Sequence, residues 1–221
     1  MRETYREQLD DVLDTLVRMS QAVAVAVRKA TTALLEADIH LAQEVIADDD
    51  ELDQAQKSEE RTLFSLLARQ APVAGELRIV VASLRMVYEL ERMGDLAAHV
   101  AKIARLRYPD RAVPDTLRAN FVRMAEVAES MVVAAGHTLS DRNLQTAHEL
   151  RAQDEEMDAL RRTQFRVLLG QEWPHGIEAA VDVALLGRYY ERIADHAASM
   201  ARRVVYIVTG EFPADEDWPQ P

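Results

Sequence analysis

The stretch "APVAGELRIVVASLRMVYELERMGDLAAHV", residues 71–100, decides the fold. Its apolar positions Leu77, Val80, Val81, Leu84, Val87, Leu90, Ala97 and Val100 recur three and four apart, and Ile103 continues the series. Such spacing lays one stripe along an α-helix. Pro72 suits the first turn of that helix, where a missing N–H costs nothing. The stripe ends near "YPDRAVP" at 108–114, whose two prolines mark a boundary. Inside the stretch sits "ERMGD", 91–95, and the same grammar returns as "ERIAD" at 191–195.

The flanking sequence fills out a repeated plan. Upstream, helices are expected over 4–35 and 39–69, broken by "QAPVAGEL". Downstream they are expected over 115–138, 141–169 and 177–209, with "SDRN" (140–143) as turn and cap and "GQEWPHG" (170–176) as a break. "VIADDDELD" at 45–53 has its counterpart in "LRAQDEEMD" at 150–158, in the same order relative to the two pentapeptides. The fold class is therefore all-α. Six long helices form two tandem three-helix bundles, 1–110 and 111–210, with a pseudo-twofold internal repeat. The acidic, proline-rich end, 211–221, is expected to be disordered.

Composition narrows the function. A formal net charge of −12 opposes a nucleic-acid partner, whose phosphates would be repelled. With no cysteine there is neither a disulfide nor a thiolate metal site, so oxygen and imidazole are the available ligands. The opening "MRETYREQLDDVL" has no apolar core, and "AVAVAV" (22–27) and "VVYIV" (204–208) are too short to span a bilayer, so a cytoplasmic protein is expected. There is no Gly-rich phosphate loop, no G-x-S-x-G and no H-E-x-x-H, and no enzyme is expected. A di-iron carboxylate enzyme would want Glu-x-x-His, but Gly94 and Ala194 stand three residues after the motif glutamates.

The carboxylates are the candidate site. Glu91 and Asp95 lie one turn apart on one helical face, as do Asp49 and Asp53 on the preceding helix. Counted back from a turn near 71–72, at about 1.5 Å per residue, Asp53 comes level with Glu91. In the second half Asp154 is expected level with Glu191, and Asp158 one turn nearer the break, with Asp195 completing the four. Clustered anions repel unless a cation intervenes. Two readings stand at this point: a salt-bridged solvated face, or a metal held by carboxylate oxygens. His99, four residues after Asp95, is a further candidate ligand, whereas His196 points about 100° away from Asp195.

"DDDELD" (48–53), residues 71–100 and "GRYYERIADHAASMARRVVYIVTGE" (187–211) together resemble the PhoU family of bacterial phosphate-uptake regulators. The resemblance implies a cytoplasmic negative regulator of the phosphate-starvation response. Its implied partners are the ATPase of the phosphate ABC transporter and the membrane sensor histidine kinase. It further implies homodimers, membrane association through partners alone, and iron or zinc on the acidic motifs, with magnesium or manganese also compatible. By position, Asp49, Asp53, Glu91 and Asp95 would form one site and Asp154, Asp158, Glu191 and Asp195 the other. The family often has Asn four residues after the motif aspartate, where this chain has His99 and Ser199. An all-helical metal-storage or redox protein is the alternative.

Overall fold

A computed structural model describes residues 2–70, 72–170 and 173–211. Six helices follow in order: α1 (Arg2–Glu36), α2 (Ile39–Gln70), α3 (Gly75–Arg107), α4 (Asp115–Asp141), α5 (Leu144–Leu168) and α6 (Gly176–Thr209). The expected helices are all present, and the differences lie at their ends. Pro72 precedes α3 rather than entering its first turn, and the helix starts after Ala74, which takes a positive φ of 47°. Ser140 and Asp141 prolong α4. Arg142 then turns left-handed (φ 50°) and Asn143 alone caps α5, its side-chain oxygen accepting from the Gln145 N–H at 2.9 Å. The acidic tail from residue 212 onward lies outside the described residues.

The turn between α1 and α2 shows how few residues suffice. Ala37 is left-handed at φ 54°, and Asp38 accepts from the backbone N–H groups of His40 and Leu41, each at 3.0 Å. Two of the orphan donors at the helix start are thereby satisfied. At the other end Gly210, at φ 84°, closes α6 by donating its N–H to the Tyr206 carbonyl at 2.9 Å.

Within each half the three helices pack on one another as α1–α2–α3 and α4–α5–α6. The halves meet through α1 on α4 and α3 on α6, leaving α2 and α5 on the outside. Side chains from all six helices join one continuous apolar core, with Phe121, Leu16, Leu34, Met86, Met124 and Met131 fully buried. Each such side chain contributes roughly 1.5–3 kcal/mol through removal from water. The joined halves bury Tyr190 completely, and its hydroxyl meets that of Thr31 at 2.8 Å.

The contact of α3 with α6 displays the repeat as symmetry. Glu89 bonds Ser199, while His99 packs on Tyr189 with ring centroids 5.4 Å apart. The first pair becomes the second when each residue is exchanged for its counterpart in the other repeat. The helices therefore cross antiparallel about a pseudo-twofold axis near Gly94 and Ala194. The two pentapeptides lie at this crossing.

Two glycines permit close helix contacts. A Cβ on Gly94 would stand 2.1 Å from Leu52 Cδ2 and 3.5 Å from Asp49 Oδ1, so the bare backbone there lets α2 approach the motif. Gly187 weakens α6 as a helix former, and its reason is steric. A Cβ there would meet the buried Gln164 amide at 1.9–2.5 Å.

Candidate metal centre

In the first repeat, one oxygen each of Asp53, Glu91 and Asp95 lie within 4.8 Å of one another. α2 supplies the first and α3 the other two, level as the residue count from the turn required. Hard cations bind oxygen at about 2.0–2.6 Å, so such oxygens can share one ion. Asp49 stands beside the trio. Burial raises its carboxyl above the usual range and the Asp95 and Asp53 charges raise it further, against Lys102 and His99. Burial likewise raises Glu91, with Asp95, Asp53 and Asp49 adding to it and Arg92 opposing. All four expected carboxylates of this repeat therefore feel one another.

The donor set fits a cation. Glu91 Oε2 is buried with no hydrogen-bond partner, and Arg92 Nε approaches it only to 3.4 Å. Arg92 instead bonds Asp95 at 3.0 Å and lies over the Tyr88 ring. Leaving a buried carboxylate oxygen unpaired costs roughly 1–3 kcal/mol, which a bound ion would offset. Asp53, Glu91, Asp95 and, beside them, Asp49 would hold such an ion, which would supply charge neutralisation across α2 and α3.

His99 stands outside the trio. Its Nδ1 lies 2.6 Å from the Asp95 carbonyl oxygen, which can only accept, so Nδ1 carries a proton and Nε2 is left free as an acceptor in the neutral ring. His99 and Ser199 both serve the α3–α6 crossing through Tyr189 and Glu89.

The second repeat gathers its carboxylates differently. Asp154 is buried and its carboxyl is pushed up to about 7, first by burial, then by Asp195, and after it by Asp158 and Glu191. Asp195 is raised chiefly by burial and by Glu191. Asp154 therefore feels Asp195 more strongly than Glu191, as Asp49 feels Asp95 before Asp53. α5 ends at Leu168 and α6 begins at Gly176, a longer break than that between α2 and α3, so a residue count across it fixes the register less closely. Glu191 is bound by Arg161 Nε at 2.9 Å and Arg188 Nη1 at 2.8 Å. Arg162 reaches Asp158 at 3.7 Å and Arg192 reaches Asp195 at 4.0 Å. Among the described residues, these four do not bring three ligand atoms within 4.8 Å of one another.

One cluster was not foreseen from the sequence. Glu89 is 8% exposed and accepts from His196 Nδ1 at 2.6 Å, Ser199 Oγ at 2.9 Å and Arg203 at 3.0 Å. Burial raises its carboxyl, but these three donors outweigh it and hold it down at about 2. The network ties the two bundles together. A signal existed: Glu89 falls between Met86 and Met93 on the apolar stripe of α3, where a charge demands a partner.

Comparison with known proteins agrees with this architecture. The PhoU domain model matches twice, over residues 16–104 and 121–204. The chain is 44% identical over 219 residues to phosphate-specific transport system accessory protein PhoU homolog 1 of Mycobacterium leprae, covering 99% of each. It resembles the crystal structure of PhoU from Pseudomonas aeruginosa with a TM-score of 0.85 and 29% identity, over 94% of this chain and 100% of that one. The phosphate transport system regulatory protein PhoU from Streptococcus pneumoniae is similar at a TM-score of 0.85 and 25% identity, over 95% and 99%. With both repeats matched by the family model and a relative aligned end to end, the chain belongs to the PhoU family.

Proposed function

We propose that the protein is a cytoplasmic negative regulator of the phosphate-starvation response that modulates phosphate uptake by coupling the ATPase of the phosphate transporter to the sensor histidine kinase. The full-length likeness to phosphate transport accessory proteins carries this reading. No helix among the described residues is long and apolar enough to cross a membrane, which agrees with access to the transporter through partners. The acidic trio of the first repeat serves as a regulatory or structural cation site rather than as a catalytic centre, and the working form is a homodimer. Iron and zinc are the leading ions, and magnesium or manganese suits the same oxygens.

A regulator must bind its partners differently in different states. The purified chain is therefore expected to co-purify with the transporter ATPase and with the cytoplasmic part of the sensor kinase at high phosphate. Light scattering should report a dimer. Retention of neither partner, at protein concentrations well above ordinary signalling affinities, would sink the coupling role. Metal-dependent turnover of oxygen or peroxide would favour the storage or redox alternative instead.

A further inference from the structure

The two acidic clusters occupy equivalent places but differ in the cations around them. Asp49 matches Asp154 and Asp53 matches Asp158, so Arg161 falls where the first repeat has Gln56. Arg188 likewise falls where the first repeat has Tyr88.

Arg161 is held on every side. Its side chain is 12% exposed, and Nε donates to Glu191 Oε2. Nη1 donates to Gln164 Oε1 at 3.1 Å and to the Ala184 carbonyl at 3.3 Å. The guanidinium lies 4.4 Å from the Phe165 ring centroid. Arg188 takes the same Glu191 oxygen from its own helix. A planar, permanently charged guanidinium held by an acidic oxygen, an amide, a carbonyl and a ring is preorganised and hard to displace. In the first repeat Gln56 turns to Glu60 on its own helix at 3.4 Å, and Glu91 Oε2 accepts no hydrogen bond, with Arg92 of the same helix at 3.4 Å as its ion-pair neighbour.

We propose that Arg161 is a built-in cation that closes the second acidic cluster to metal, so that the duplicated protein carries one open cation site and one sealed one. A metal entering the second cluster would have to expel Arg161 from Glu191 and share the space with a fixed positive charge. The inference rests on the reading of the first cluster as a cation site.

The test is titration of Mn(II) into the metal-free full chain, with free Mn(II) read by electron paramagnetic resonance. The wild type is expected to show one class of site. Glu91→Gln should weaken it at least tenfold, and Glu191→Gln should leave it within twofold. Gln56→Arg, which brings the second repeat's cation into the first, should also weaken binding at least tenfold. Arg161→Gln should add a second class, provided circular dichroism shows it folded. Gln56→Arg and Glu191→Gln decide the matter without it. Two equal classes in the wild type, full binding in Gln56→Arg, or a folded Arg161→Gln without a second class would each overturn the sealed site while leaving the first site's reading intact; loss of binding in Glu191→Gln would overturn both. Absence of Mn(II) binding in the wild type would overturn both.

Discussion

Replacing Glu89 by alanine lowers the melting temperature at pH 7 by roughly 6–12 °C. The carboxylate is buried between α3 and α6, and its pKa falls from 4.5 to about 2 because His196, Arg203 and Ser199 outweigh the effect of burial. A shift of that size corresponds to roughly 3 kcal/mol, and each kcal/mol moves Tm by about 2–4 °C in a chain of this size. The sign follows from the depressed folded-state value. The stabilisation is fully present above 4.5 and disappears as pH falls from there through about 2. Thermal melts at several pH values check this: the gap between wild type and variant should be widest at neutral pH and close toward pH 2. A gap that persists unchanged at low pH would mean that Glu89 acts through packing rather than charge.

Replacing Asp154 by asparagine has the opposite sign. This carboxyl is raised to about 7 by burial and by Asp195, Asp158 and Glu191, so the folded protein holds its proton longer than the unfolded chain does. Its favourable contribution is complete below about 3.8 and is lost as pH climbs through about 7. At pH 8, in chelator, the variant should be more stable than the wild type by up to roughly 4 kcal/mol, at about 1.36 kcal/mol per pKa unit. Near pH 4 the two should melt together. Denaturant titrations at both values decide it. A variant less stable at pH 8 than at pH 4, relative to wild type, would show that ionised Asp154 has a cation partner in the folded state.

Much of this was legible in the sequence, and the parts that were not have physical causes. The apolar stripes of α3 and α6 forced helices because their spacing was unbroken over many turns. Helix ends were read less well: Arg142 adopts a left-handed conformation without being glycine, and Ser140 continues α4. Asp53, Glu91 and Asp95 could be brought level by counting because the turn between α2 and α3 is short. The same count is looser for Asp154 because the break between α5 and α6 is longer. Arg161 was invisible as a partner of Glu191 for the same reason, since its reach across the helices depends on that register. The Glu89 network joins residues more than a hundred positions apart, and no local periodicity reports such a pairing.

Duplication accounts for the doubled pentapeptide, and the cations account for how its copies diverged. A pseudo-twofold pair of bundles puts both motifs at one crossing, where each faces its own outer helix. In the first copy Glu91 Oε2 accepts no hydrogen bond, and the cations near the carboxylates, Lys57 and Arg92, each come from the carboxylate's own helix. The second adds Arg161 and Arg188 on Glu191 and has a buried, proton-holding Asp154. An element that biases partner binding needs only one ion-responsive half.

The central claim is regulation of the phosphate response, and a phosphate-starvation reporter tests it most directly. The chain is expressed in a bacterium lacking its own member of the family, grown with ample phosphate, and compared with a Glu91→Gln, Asp95→Asn variant of equal abundance. The account predicts that the wild-type chain restores repression of the reporter and that the variant leaves it at least partly on. A reporter that stays fully on with the wild-type chain folded and abundant, beside its cognate transporter and kinase, would contradict the account.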